Sequence, residues 1–385
     1  MSSAKPKHSF RVTKTPKRLQ DFAGNLKKAL EDTRARAGNP YDTVAVLAIH
    51  WGNDEMGEEA LEQELLAVFS DIYGYKTESF TIPTVASAVA LHEKLAIWTS
   101  ENHGPRTLRI LVYSGHASDA GTTSVAWYFG GRASSTGQLV GPRIDWFNAR
   151  HNVEVGEGDV CYIFDCCSGG AAALYDGPEV ICASGWDQQA AASLNSSFTR
   201  ALIDTLKGLD GATETIAGIY SILFRSAHQS QVSACPVHVQ RQGQPSITLG
   251  KLRPADGNTG DDKRTKTEHR VLLSVHIKDS KPDVQAWNNW LSKNLPPGLL
   301  SAVVRIESIF RTSSSVLLVT IPIELWTMLD LNDESFSFVA HVQSSNILPA
   351  LERSLQTQLP FRPGPGARSA ENTPPHSHKY RKSLG

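Results

Sequence analysis

No run of 18 apolar residues occurs in the 385 residues. Nothing has the length needed to cross a bilayer as a helix. Cysteine is scarce: five residues, four of them within 161–182. That is too few for a disulfide framework, and no paired CxxC motifs suggest zinc. Reduced thiols in an intracellular, cytoplasmic protein are expected. The basic N-terminus has no apolar core, so a secretory signal is not expected. It also carries no acid in its first twenty residues, which leaves a nuclear or mitochondrial address open beside the plainer reading of a solvated tail.

Charge of one sign is nearly absent overall, with a net of −1. Residues 1–40 hold ten Lys/Arg against three acids, and residues 360–385 five against one. The body between is at −12. Two basic tails flank an acidic body, a weak pointer to basic substrates. The tails lack interleaved aromatics, so neither nucleic acid nor membrane is an expected partner. GxSxG, a phosphate loop and a dinucleotide fingerprint are all missing, and so is any internal repeat.

What is present is alternation. Residues 20–36 have helical spacing through Leu19, Phe22, Leu26 and Leu30. Val44–Ile49, Ser79–Ile82, Leu108–Tyr113, Val160–Phe164 and Val180–Ala183 read as strands, and Val125–Phe129 as a further one. Helical patterns fall at 57–72, 84–99, 144–151, 197–207 and 214–227. The 84–99 helix is read with Val85, Val89, Leu95 and Trp98 on its apolar face. Continuous apolar strands between helices predict a mostly parallel sheet covered on both faces.

Residues 253–268 are almost devoid of apolar side chains and read as a linker. Beyond them, strands at Val271–Ile277, Ala302–Phe310, Val316–Ile321 and Phe336–Val342, with helices at 282–294 and Glu324–Leu329, give the order β-α-β-β-α-β of a ferredoxin-like unit. The predicted organisation is a basic tail and helix over 1–40, an α/β domain over 41–252, a linker over 253–269, a small α+β domain over 270–350 and a disordered basic tail over 351–385.

In parallel sheets, functional residues lie just beyond the carboxyl ends of strands. One strand runs into Ser114-Gly115-His116-Ala117, another into Asp165-Cys166-Cys167-Ser168-Gly169-Gly170. His116 and Cys167 are 51 residues apart, room for one crossover. A thiol is a weak nucleophile until a base takes its proton, and an imidazole serves. Backbone N–H groups at Cys167 and Ala117 are candidate oxyanion donors. The plainer alternative is a structural histidine and a buried cysteine.

YSGHA and FDCCSGG resemble the YSGHG and D-x-C-H-S-G motifs of metacaspases. Residues 43–250 resemble the caspase-like domain of fungal proteins in that clan. The resemblance implies a caspase-like α/β fold and a cysteine endopeptidase without a cofactor, acting on proteins or peptides after Arg or Lys, in proteolysis of the apoptotic type. It implies His116 as base and acid, Cys167 as nucleophile, Cys166 as an inward-facing neighbour, and Asp165 and Ser114 as substrate-binding residues. Asp165 has a structural alternative, capping a nearby backbone N–H. Asp187 and Glu62 or Glu64 are weaker carry-overs. The sequence departs from the pattern at Ala117, where the family has Gly, and at Ser168, where it has His. The acidic calcium-binding loop of many metacaspases is not evident. Ala117 is expected to be strained if its position needs a positive φ. A catalytically silent caspase-like scaffold or regulatory module is the alternative function.

Overall fold

The computed structural model describes residues 16–34, 40–57, 59–119, 126–167, 169–170, 177–184, 197–229, 235–241, 244–252, 269–279, 282–287, 289, 304–311, 315–330, 333–344 and 346–351. Met1–Ser345 form one compact unit. Asn346–Gly385 form a second, in which residues 348–351 make a helical turn. The predicted linker and most of the predicted C-terminal tail lie outside the described residues.

In chain order the elements begin with α1 (Leu19–Arg34), β1 (Thr43–Trp51), α2 (Glu59–Asp71), β2 (Lys76–Ile82), α3 (Ser87–Glu101) and β3 (Thr107–Ser114). Next come β4 (His116–Asp119), β5 (Trp127–Gly130), β6 (Arg143–Asp145), the short α4 (Trp146–Ala149) and α5 (His151–Glu154), and β7 (Asp159–Asp165). β8 (Glu179–Cys182), α6 (Phe198–Leu209), β9 (Glu214–Thr215), α7 (Ile216–Gln229), β10 (Val237–Val239) and β11 (Thr248–Leu249) follow. The unit closes with β12 (Arg270–Ile277), β13 (Arg305–Arg311), β14 (Ser315–Pro322), a helical turn at Ile323–Trp326 and β15 (Phe336–Val342).

The main sheet has the order β10-β8-β7-β3-β1-β2. Every pair is parallel except β8 with β10. Its central strands β1, β3, β7 and β8 are buried on both faces because both are covered. One face packs Val46, Ile110, Ile163 and Ile181 under α2, α6 and α7. The other packs Leu47, Leu111 and Phe164 against Trp98 of α3 and an aromatic group of Trp127, Phe129 and Trp146. Phe129 stacks on Tyr113 with centroids 3.8 Å apart. These rings fix the far ends of β3 and β7, where the candidate site lies.

The second sheet is antiparallel throughout, in the order β13-β14-β12-β15. A helical segment at 284–287 lies between β12 and β13, and the Ile323–Trp326 turn between β14 and β15, which is the predicted ferredoxin-like arrangement. Its core is completed from the other end of the chain. Phe22, Ala23, Leu26 and Ala29 of α1 pack with Leu273, Val275, Trp287, Leu317 and Val319. Lys17 N–H donates to His276 O at 3.3 Å, and the Lys17 ammonium pairs with Asp333 at 2.6 Å. Contacts with α7 and β9 join the two sheets within this unit: Ala217 of α7 enters the second core, and His269 meets Glu214 of β9 at 3.3 Å.

One expectation is corrected. Val85 and Val89 do not face the core; they are 80% and 68% exposed. Ala86 takes a left-handed conformation, and the helix begins only at Ser87. The inward stripe is therefore Ser87, Leu91, Leu95 and Trp98.

Candidate active site

β3 and β7 are hydrogen-bonded parallel neighbours, with Ser114 opposite Asp165. Beyond that pair, Gly115 N–H donates to Asp165 O at 3.2 Å. One residue further lies His116, and two residues beyond Asp165 lies Cys167. The topology thus places residues 116 and 167 just beyond the carboxyl ends of two neighbouring strands.

Gly115 makes the turn that aims His116. Its φ is +143°, and a Cβ there would lie 2.9 Å from the Tyr113 hydroxyl. That hydroxyl is committed: it donates to His116 O at 2.6 Å and approaches Gly130 O at 3.3 Å. A side chain at 115 would strain the backbone and displace the clamp on His116. Gly115→Ala is expected to displace the Tyr113 hydroxyl from His116 O and to lower the melting temperature while leaving the protein folded, measured by a thermal melt beside wild type.

His116 does not sit in a loop. It opens β4, which pairs with β5 as His116 to Gly130 and Ala117 to Phe129. Ala117 is absent from the described positive-φ residues and is extended and buried, so the expected strain does not arise.

All five cysteines are thiols. Cys167 is partly exposed, whereas Cys161, Cys166 and Cys182 are buried. Cys166 faces the aromatic side of the sheet, and its carbonyl accepts from Ser184 Oγ at 2.9 Å. The turn is further tied by Gly170 N–H to Ser184 O at 3.0 Å. Burial pushes the Cys161 thiol well up and Cys182 to about 12. Cys235 is also raised by burial.

Asp165 is committed to the fold. It is 3% exposed. Its Oδ2 accepts from Thr199 N–H at 2.9 Å and from Thr199 Oγ1 at 2.7 Å. It therefore caps the first turn of α6, with Ser197 Oγ accepting from Arg200 N–H at 3.2 Å. Desolvation outweighs these bonds and raises its pKa. Ser114 is buried beside it.

The weaker carry-overs lie elsewhere. Glu62 is buried and takes Ser79 Oγ at 2.5 Å and His50 Nδ1 at 2.9 Å. Glu64 bridges α2 to α6 through Arg200 and Lys207, which hold its pKa down to about 2. Asp187 and Ser168 lie outside the described residues.

Sequence reasoning missed the loop after β1. Glu55 Oε1 is 3.6 Å from His116 Nε2. Burial raises the pKa of neighbouring Asp54, while the charges of His116 and His50 pull it down. The available signal was the acidic pair in Trp51-Gly52-Asn53-Asp54-Glu55, which stands at the carboxyl end of a central parallel strand.

No family model matches the chain, and no curated protein matches it. Among solved structures it is similar to Caspase-1 from Spodoptera frugiperda, at 11% identity and a TM-score of 0.40, over 58% of this chain and 94% of that one. It is also similar to the Drosophila initiator caspase Dronc, at 9% identity and a TM-score of 0.37, over 53% and 82% of the two chains. A Geobacter sulfurreducens protein matches at 12% identity and a TM-score of 0.38, over 55% and 96%.

Proposed function

We propose that this chain is a cysteine endopeptidase of metacaspase-like type that cleaves after Arg or Lys. The observation that carries the reading is the register of β3 and β7, which delivers His116 and Cys167 to one edge. Cys167 gives its proton to His116, and the sulfur attacks the scissile carbonyl. The N–H groups of Cys167 and Ala117 stabilise the oxyanion. His116 then protonates the leaving amine, and water releases the acyl group from sulfur. Ala117 lies outside the positive-φ region where an alanine would be strained, which is compatible with this reading.

The proposed basic preference draws on Asp165. Its Oδ2 is taken by Thr199, which in this reading leaves the second carboxylate oxygen for a substrate cation. A buried carboxyl with a raised pKa can ionise when a guanidinium arrives and pairs with it. Because the folded pKa lies above the ordinary value of 3.8, ionisation costs stability as pH rises through the folded pKa. Asp165→Asn keeps an acceptor for Thr199 and removes that cost. Its melting temperature is expected to exceed wild type at pH 7, with the gain vanishing below about pH 4. Its turnover of Arg peptides should fall more than about tenfold. Fluorogenic peptides ending in Arg, Lys or Asp test the whole reading. Cleavage after Asp alone, or none after any, rejects it.

A further inference from the structure

Among the described residues, His116 has its backbone fixed by Tyr113, and its Nε2 is buried without a hydrogen bond. The carboxylate that faces this nitrogen is Glu55, at 3.6 Å. Glu55 is itself aimed. Its Oε1 accepts from Ala133 N–H at 3.4 Å, and its Oε2 meets Arg132 Nε at 3.3 Å. Two attachments from residues 132–133, one to each carboxylate oxygen, hold Glu55 at the rim of the candidate site.

We propose that Glu55 is a positioning residue for His116. It fixes the imidazole ring and its tautomer, and it balances the charge that His116 gains. With Nε2–H directed at Glu55, Nδ1 is left as the acceptor for the Cys167 proton. The S–H bond breaks and an Nδ1–H bond forms, giving thiolate and imidazolium. Glu55 takes no proton; its negative charge offsets the new positive one. At 3.6 Å the contact is looser than a hydrogen bond and tightens when substrate is bound. Asp54, half-buried in the same loop, adds negative charge. Arg132 holds the other Glu55 oxygen, Oε2, and leaves Oε1 to His116.

This inference rests on the peptidase reading, and the test separates the two. Glu55→Gln keeps the size and the acceptor for Ala133 N–H but removes the charge. On an Arg peptide its kcat is expected to fall at least about tenfold, with KM within about twofold of wild type. Glu55→Asp, which restores the charge at shorter reach, should recover part of that loss. A purely structural role would lower the melting temperature without this split. The second readout needs no substrate: the rate at which iodoacetamide alkylates Cys167 in the full chain. It should slow severalfold in Glu55→Gln. If wild type cleaves no peptide, the peptidase reading fails while slowed alkylation still supports the role of Glu55. An unchanged kcat in an active enzyme, or an unchanged alkylation rate, overturns it.

Discussion

If the chain is the proposed cysteine endopeptidase, Cys167→Ala is expected to abolish peptide cleavage, by at least about a thousandfold, and to leave the melting temperature within about 2 °C of wild type. The size follows from the chemistry: without the thiol no acyl intermediate forms, and an alanine offers no substitute. The small stability effect follows from position. Cys167 is partly exposed in a turn whose ties run through the backbones of Cys166 and Gly170. Cys166→Ala is the paired control. That side chain is buried on the aromatic face, so its loss costs stability while cleavage persists. Initial rates with an Arg peptide, measured beside melts, check both variants. Cleavage by Cys167→Ala at more than about a tenth of the wild-type rate would contradict the assignment.

Phe22→Ala is expected to destabilise the protein by about 3–5 kcal/mol, read by urea denaturation. Phe22 is 1% exposed although it lies far ahead of the main sheet in the chain. Its ring lies 6.2 Å from Trp287 and 6.1 Å from Phe336. Truncation leaves a cavity between α1 and the second sheet that neither element can close. The loss should appear in the second sheet first, as faster amide exchange in β12 and β14 than in β3. A cost below about 1 kcal/mol would mean that α1 is not part of that core.

The strands were legible because period and composition agree. Val44–Ile49 is a continuous apolar run and Leu108–Tyr113 is apolar except at Arg109, the pattern of strands in a sheet buried on both faces. His116 and Cys167 were legible because each follows such a run beside glycine. What could not be read depends on tertiary partners. The spacing of Phe22 and Leu26 demands a core but does not say which one, and the answer lies some 250 residues further on. Val85 and Val89 fit a helical stripe, yet a left-handed Ala86 delays the helix and turns them outward. That His116 opens a further strand was not legible, because β4 is four residues long and pairs with β5 across a turn of the chain. Asp165 carried two readings in the motif. Its contact with Thr199 comes from α6, more than thirty residues later.

The central claim is that Cys167 is the reactive thiol and that His116 activates it. The most direct measurement treats the full chain with an Arg-peptide electrophile and maps the modified cysteine by mass spectrometry, in wild type and in His116→Ala. The account predicts modification of Cys167, sparing of Cys161, Cys166 and Cys182, and a rate at least about tenfold slower in His116→Ala. Modification of Cys166 instead, or an equal rate at Cys167 in both proteins, would contradict it.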